Sequence, residues 1–235
     1  MQMPDQLALN LHLRAETTLA AYLPAPEQRE LPDAVRALVM GDPKVPQLYL
    51  WGGAGTGKTH LAQAACHEAG AAGLPVAYVP LCELSSAGPQ VLEGLGALHL
   101  LAIDDLDCVW GEPAWQGPLF ALINDMREHD GRLLFTASMR PEAAQVTLAD
   151  LRSRLLWGPV YHLRALDDGR LAQMLQAGAK ARGFALGEIE TAYLLRHVAR
   201  DPGSLVSLLD RLDAASLKAR RRVTLPLIRA VLQQA

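Results

Sequence analysis

The chain has 235 residues, half of them apolar, and a formal net charge of −3 at neutral pH. That balance excludes a general electrostatic grip on nucleic acid, and no run approaches the ~18 consecutive apolar residues of a membrane span. The N-terminus has no basic or long apolar stretch of an export signal, and the three cysteines, Cys66, Cys82 and Cys108, form no C-x-x-C pair. They read as reduced core thiols of a cytoplasmic protein.

Residues 1–32 are a tail and lead-in with several prolines. Inside the tail, Leu7, Leu9 and Leu11 alternate with Ala8 and Asn10, the pattern of a half-buried extended segment. A short helix is predicted over 33–40, ending at Gly41. Strands are predicted at 47–51, 75–80, 98–103, 132–137 and 160–163, with helices near 58–70, 88–96 and 114–129. Continuous apolar strands alternating with helices predict an α/β fold, a parallel five-stranded sheet with helices on both faces. From Leu166 the strand signals stop. "DDGRLAQMLQAGAKARG", "EIETAYLLRHVA" and "DPGSLVSLLDRLDAASLKAR" read as helices with Asp, Ser or Pro starts and glycine breaks. A last helix follows, with Thr224 as candidate N-cap and Pro226 in its first turn. The expected organisation is a tail over 1–22, an α/β nucleotide-binding domain over 23–165 and an α-helical lid over 166–235.

"LYLWGGAGTGKTHLAQAA" carries the strongest chemical signal. Gly52 to Thr59 fits G-x-x-x-x-G-K-[ST], between a predicted strand and a predicted helix, the context a P-loop requires. The loop residues Gly52, Gly53, Ala54, Gly55, Thr56 and Gly57 let the backbone wrap a phosphate with its N–H groups inward, and the helix beginning near His60 adds its positive dipole end. Lys58 would reach the β- and γ-phosphates, and the Thr59 hydroxyl would ligate Mg²⁺. "LHLLAIDDLD" ends a predicted strand in two carboxylates. Asp104 could hold the Mg²⁺ hydration shell and Asp105 could orient or deprotonate a water, or the pair could be an acidic loop. Thr136 and Ser138 end the next strand, where a hydroxyl can meet a γ-phosphate or its water, or simply cap a turn. In "DLRSRLLWGP", Arg154 precedes the last strand. It could enter another subunit's nucleotide site, or make a surface ion pair.

Together, "GGAGTGKTHLAQA", "LLAIDDLD", "LFTAS" and "LRSRLLWG" resemble the AAA+ ATPases and, within them, the DnaA branch of replication initiators. The resemblance covers nearly the whole chain in the same motif order. It implies an ADP or ATP site with Mg²⁺. No counterpart of the branch's C-terminal DNA-binding domain follows the lid, an expectation that points to the branch's regulatory members. By that resemblance Gln6, Leu7, Leu9 and Leu11 are a peptide that docks on the sliding clamp, the β subunit of DNA polymerase III, on DNA. Arg154 is the arginine finger, acting in trans on ATP held by DnaA. The implied function is negative regulation of replication initiation, in the cytoplasm and with the nucleoid, with a homodimer or higher oligomer as a further possible state.

One departure bears on turnover. The branch's sensor-2 arginine aligns with Gly203, and Arg200 lies a turn earlier. That departure weakens γ-phosphate sensing in cis and so counts against the alternative function, a stand-alone DnaA-like or helicase-loader-like ATPase acting on DNA; a third reading is a decoy that only joins the DnaA lattice. Lys218–Arg222 is the densest basic run. It could complement a helix C-terminus or meet DNA backbone. His60 and His67 lack a third ligand at metal spacing. The four tryptophans read as core or interface anchors, and by resemblance Leu19 and Tyr22 lie where the family packs adenine.

Overall fold

The structure is a computed structural model that describes residues 17–143, 146–198, 201–219 and 221–233. The expected clamp peptide at Gln6 to Leu11 lies outside them, as does Arg200. By compactness the chain divides into two units. One holds residues 30–51 and 58–162 with the segment up to Tyr22. The other holds 23–29, 52–57 and 163–235.

The first unit is built on five parallel strands, β1 (Gln47–Trp51), β2 (Val76–Pro80), β3 (Leu100–Asp104), β4 (Arg132–Ala137) and β5 (Val160–His162), in the order β2-β3-β4-β1-β5. β3 is buried at every position and β1 at four of five, which is why they read as unbroken apolar runs rather than as alternation. The expected parallel sheet is thus present. Tyr49, Leu101, Ile103, Leu133 and Phe135 point into one layer, where α4 (Pro113–Glu128) and α5 (Ala149–Leu155) supply Trp115, Leu119, Ile123, Leu151 and Leu155. Leu48, Leu50, Ala102 and Leu134 point the other way by the period-2 rule and are equally buried. That face is covered by α1 (Leu31–Val39) and α2 (Lys58–Ala71). Alanines at 62, 64, 65 and 69 let α2 approach β2, β3 and β4 closely.

Two expectations need correction, and one element was not foreseen. The helix predicted near 88–96 is a short 3-10 turn, Pro89–Leu92. Gly88 and Gly94, at φ 81° and 76°, bracket it with backbone that only glycine adopts cheaply. A single-turn helix, α3 (Leu81–Leu84), stands before it. The stretch before the last strand, for which no element was predicted, is α5, so Arg154 lies in a helical last turn. Finally, Cys82 and Cys108 are not buried thiols. Both are exposed and form a disulfide, with Cα atoms 5.3 Å apart. The cause is register: Pro80 pairs with Asp104, so the segments leaving β2 and β3 start side by side. Only Cys66 is a core thiol, and burial, with the charge of Asp104, pushes it up to about 12.

In the second unit, α6 (Asp168–Ala181), α7 (Glu188–His197), α8 (Pro202–Ala219) and α9 (Leu225–Gln233) pack around Leu171, Leu175, Leu194, Leu205, Leu209 and Ile228. Asp167 caps α6, accepting from the Arg170 N–H at 2.8 Å. Arg182 joins α6 to α8 through Asp210 at 2.7 Å. At α9 the Ile228 N–H donates to the Thr224 carbonyl at 3.0 Å, the first bond expected behind a Thr224 cap. Among the described residues no helix is long and apolar enough to cross a membrane.

Candidate functional site

The chain leaves β1, passes through 52–57 and enters α2 at Lys58. Gly55 and Gly57 have φ of 72° and 93°, left-handed backbone that turns the loop back on itself. A Cβ at Gly55 would lie 2.9 Å from the Asp201 Cβ, and one at Gly52 would overlap the Leu163 carbonyl. The glycines therefore serve close approach as well as curvature. Thr56 is buried, and its hydroxyl donates to the Gly53 carbonyl at 2.9 Å, closing the loop internally. Gly53, Ala54 and Thr59 are exposed, while Lys58 is buried.

In the first unit, Asp104 and Asp105 follow β3. Asp104 is only 1% exposed, and two hydroxyls orient its carboxyl: Tyr78 donates to Oδ2 at 2.7 Å and Thr136 donates to Oδ1. A carboxylate has about four lone-pair sites, so two remain. Asp105 sits in the left-handed region at φ 54°, and its N–H donates to Thr136 Oγ1 at 2.9 Å. Burial raises its pKa first, Asp104 and Asp107 add to the rise, and the positive charge of Lys58 opposes it. The Lys58 charge therefore reaches Asp105. Taken unit by unit, the residues fit a nucleotide with Mg²⁺: the second unit has the left-handed glycine loop 52–57, and the first has a lysine and a hydroxyl at a helix start and an oriented carboxylate.

Of the two hydroxyls ending β4, Thr136 touches both aspartates, whereas Ser138 is exposed and stands beyond the strand. His60 meets the segment that precedes α1. Its Nε2 bonds the Thr18 carbonyl at 2.9 Å, its ring lies 6.0 Å from that of Tyr22, and burial lowers its pKa against the rise from that carbonyl. Leu19, in the same segment, is 5% exposed, and burial pushes the Tyr22 phenol up to about 12. Gly203, in the first turn of α8, is exposed and offers no side-chain cation. Lys218 lies in the last turn of α8, and both Arg221 and Arg222 are exposed. Among the described residues no cluster of metal-ligating side chains occurs.

Arg154 is half-buried in the last turn of α5, its guanidinium carbon 5.9 Å from the centre of the Phe120 ring. It forms no ion pair among the described residues, and its Nε is buried without a hydrogen-bond partner. Its backbone is held firmly: the Gln47 amide donates at 3.0 Å to the carbonyls of both Arg154 and Leu155. Sequence reasoning missed Gln47 and Tyr78. Tyr78 joins the site only through the β2–β3 register, which puts it diagonal to Asp104 on one face. A lone Gln opening an apolar strand was the one local sign of Gln47.

Comparison with known proteins bears on both units. Residues 167–232 match the family model of the Hda lid domain. The chain superposes on AMPPCP-bound DnaA from Aquifex aeolicus with a TM-score of 0.72 and 21% identity, covering 88% of this chain and 68% of that one. For domain III of Thermotoga maritima DnaA the TM-score is 0.75 at 18% identity, covering 94% and 97%. The Thermotoga maritima RuvB Holliday junction branch migration motor matches at 0.65 and 18%, covering 89% and 69%. At these identities the structural matches establish the fold: a parallel α/β sheet domain followed by a helical lid, as in those DnaA and RuvB chains.

Proposed function

Taking as premise an Hda-like, DnaA-related AAA+ protein, we propose that this chain regulates replication initiation by stimulating hydrolysis of the ATP held by DnaA. The observation that carries the proposal is Arg154, held by its backbone and, among the described residues, left by its side chain without an anionic partner. A guanidinium delivered to a γ-phosphate stabilises the charge that develops as the phosphoryl group transfers, and water excluded from the joint strengthens it. In trans, Arg154 would supply that charge and DnaA would supply the bound nucleotide. DnaA left with ADP is then inactive for initiation, so the regulator acts negatively.

The chain's own nucleotide has a different part in this reading. The segment 52–60 and Lys58 hold ADP or ATP, with Thr59 and Asp104 placing Mg²⁺, and bound nucleotide consolidates the fold. Mg²⁺ would supply charge neutralisation at the phosphates. Tyr78 and Thr136 keep the Asp104 carboxyl oriented for that purpose. Gln6, Leu7, Leu9 and Leu11 would tether the molecule to the sliding clamp on DNA, bringing it to newly replicated sites. A homodimer or higher oligomer is compatible with this scheme.

A second reading, a stand-alone ATPase acting on DNA, draws on Asp105, whose raised pKa and fixed N–H suit a residue that handles a water proton. Gly203 weighs against it, because no lid cation stands there to meet a γ-phosphate. One experiment separates the two. ATP-loaded DnaA is incubated with this chain, clamp and DNA, and phosphate release is followed. Arg154→Ala is expected to bind DnaA and clamp normally yet fail to accelerate release, with a loss on the order of 10³-fold. Normal stimulation by Arg154→Ala refutes the proposal, and release by this chain without DnaA favours the second reading.

A further inference from the structure

Arg127 lies in the last turn of α4 and Arg154 in the last turn of α5, two helices that pack together over one face of the sheet. The Arg127 guanidinium carbon is 3.1 Å from the centre of the Trp157 ring. Trp157 is 45% exposed and Leu156 is 38% exposed, so this aromatic platform is open to solvent. Rings rather than carboxylates face both cations: among the described residues neither arginine forms an ion pair. Lost hydration and the neighbouring Arg154 charge both lower the Arg127 pKa. Two guanidiniums held near each other without an anion repel, and the repulsion is relieved when an anion arrives. Each guanidinium offers a planar fork that matches phosphate oxygens in pairs. Two forks on one open face suit an anion with several charged groups in a row.

Resting on the reading of Arg154 given above, we propose that Arg127 is a second cation of the same face, and that Arg127 and Arg154 together take the polyphosphate of a nucleoside triphosphate held by the partner. Trp157 carries Arg127 by stacking, which orients the planar fork and leaves its N–H edge outward. Arg154 meets the phosphoryl group where charge develops. Arg127 grips the neighbouring phosphate oxygens, so a triphosphate is bound at two points and a diphosphate at fewer.

The test has two arms on the full chain. In the first, inorganic tripolyphosphate is titrated into protein carrying Lys58→Ala, which silences the P-loop, and tryptophan fluorescence is followed. A saturating response is expected. Arg127→Gln and Arg154→Gln should each weaken it roughly tenfold, the scale of one lost charge-assisted hydrogen bond. Trp157→Phe should remove the signal, and Arg127→Lys should restore part of the affinity by keeping the charge. In the second arm, with ATP-loaded DnaA, Arg127→Gln should lower the maximal rate of phosphate release roughly tenfold, while the concentration for half-maximal effect changes much less. If Arg127→Gln alters neither arm while Arg154→Gln alters both, the second cation is overturned and the finger stands. If the tripolyphosphate response weakens in both variants while DnaA hydrolysis is unchanged in both, the finger falls and the paired anion site stands. Single-stranded DNA that displaces tripolyphosphate at equal phosphate concentration overturns the triphosphate assignment.

Discussion

Gln47 offers the sharpest test of how the arginine face is built. It opens β1, is 1% exposed, and its amide donates two 3.0 Å hydrogen bonds to the last-turn carbonyls of α5. Its own Oε1 is buried with no hydrogen-bond partner. Each donated bond contributes about 1 kcal/mol net, and a buried unpartnered acceptor costs about 1–3 kcal/mol. Gln47→Met has a similar shape and removes both donors, for a loss of about 2 kcal/mol, but also removes the orphan oxygen. Removing the orphan returns about 1 kcal/mol, the low end of that range because two last-turn carbonyls of α5 are left unpaired in its place, so the net loss is about 1 kcal/mol. Gln47→Glu instead points a carboxylate at two carbonyl oxygens in a dry site, so its folded pKa rises. The penalty is absent below the ordinary carboxylate pKa of about 4.3 and grows as pH increases through the raised value. Thermal unfolding at pH 8 should rank wild type first, Met about 2–4 °C lower, and Glu well below Met. Acidification toward pH 4.5 should narrow the Glu deficit. Because the bonds hold the carbonyl of Arg154 itself, Gln47→Met should also lose DnaA stimulation out of proportion to its small loss of stability. If Glu unfolds with wild type at pH 8, the amide is not donating as described and the reasoning fails.

Three further outcomes are expected. Lys58→Ala should abolish nucleotide-induced stabilisation, which at a hundredfold excess over Kd is about 2.7 kcal/mol; an unchanged thermal shift would show that the P-loop lysine does not hold the nucleotide. Asp201 caps α8, accepting from the Ser204 N–H at 2.8 Å. Burial opposes its charge, but hydrogen bonds from Ser204 and nearby backbone prevail and hold its pKa below the ordinary value. Asp201→Ala should cost about 1 kcal/mol at neutral pH. That difference is present above the unfolded pKa of about 3.9 and is lost as pH falls through the lower folded value, so urea melts of the two proteins should converge in acid. Replacing Gln6 and Leu7 with Ala should abolish capture by the clamp while circular dichroism stays the same; undiminished capture would remove the tail from the proposal.

Much of the fold was legible because its signals are local. Five apolar runs and the glycine loop define the strands and the P-loop in their own neighbourhoods, and β1 and β4 match the expected residues end to end. The helical lid was equally plain, since Asp167 and the 3.6-residue pattern act within one helix. The segment 88–96 misled because its apolar residues fit a helical face while Gly88 and Gly94 take positive φ, which a residue count does not reveal. The cysteines misled for another reason: their spacing of 26 residues says nothing, and only adjacent strand ends bring them together.

The sequence by itself determined the chemistry on offer: a phosphate-wrapping loop with its lysine and hydroxyl, an acidic pair after an apolar strand, and an arginine ahead of the last strand. Each depends on residue types at short spacing, where backbone geometry is nearly dictated by the chain. Tertiary structure alone decided which groups meet. Tyr78 reaches Asp104 through strand register, Thr136 rather than Ser138 joins the two aspartates, and Gln47 holds the Arg154 backbone across 107 residues. Arg127 comes beside Arg154 only because α4 and α5 share one face of the sheet. Such meetings arise from packing between distant segments, whose energies depend on the whole core.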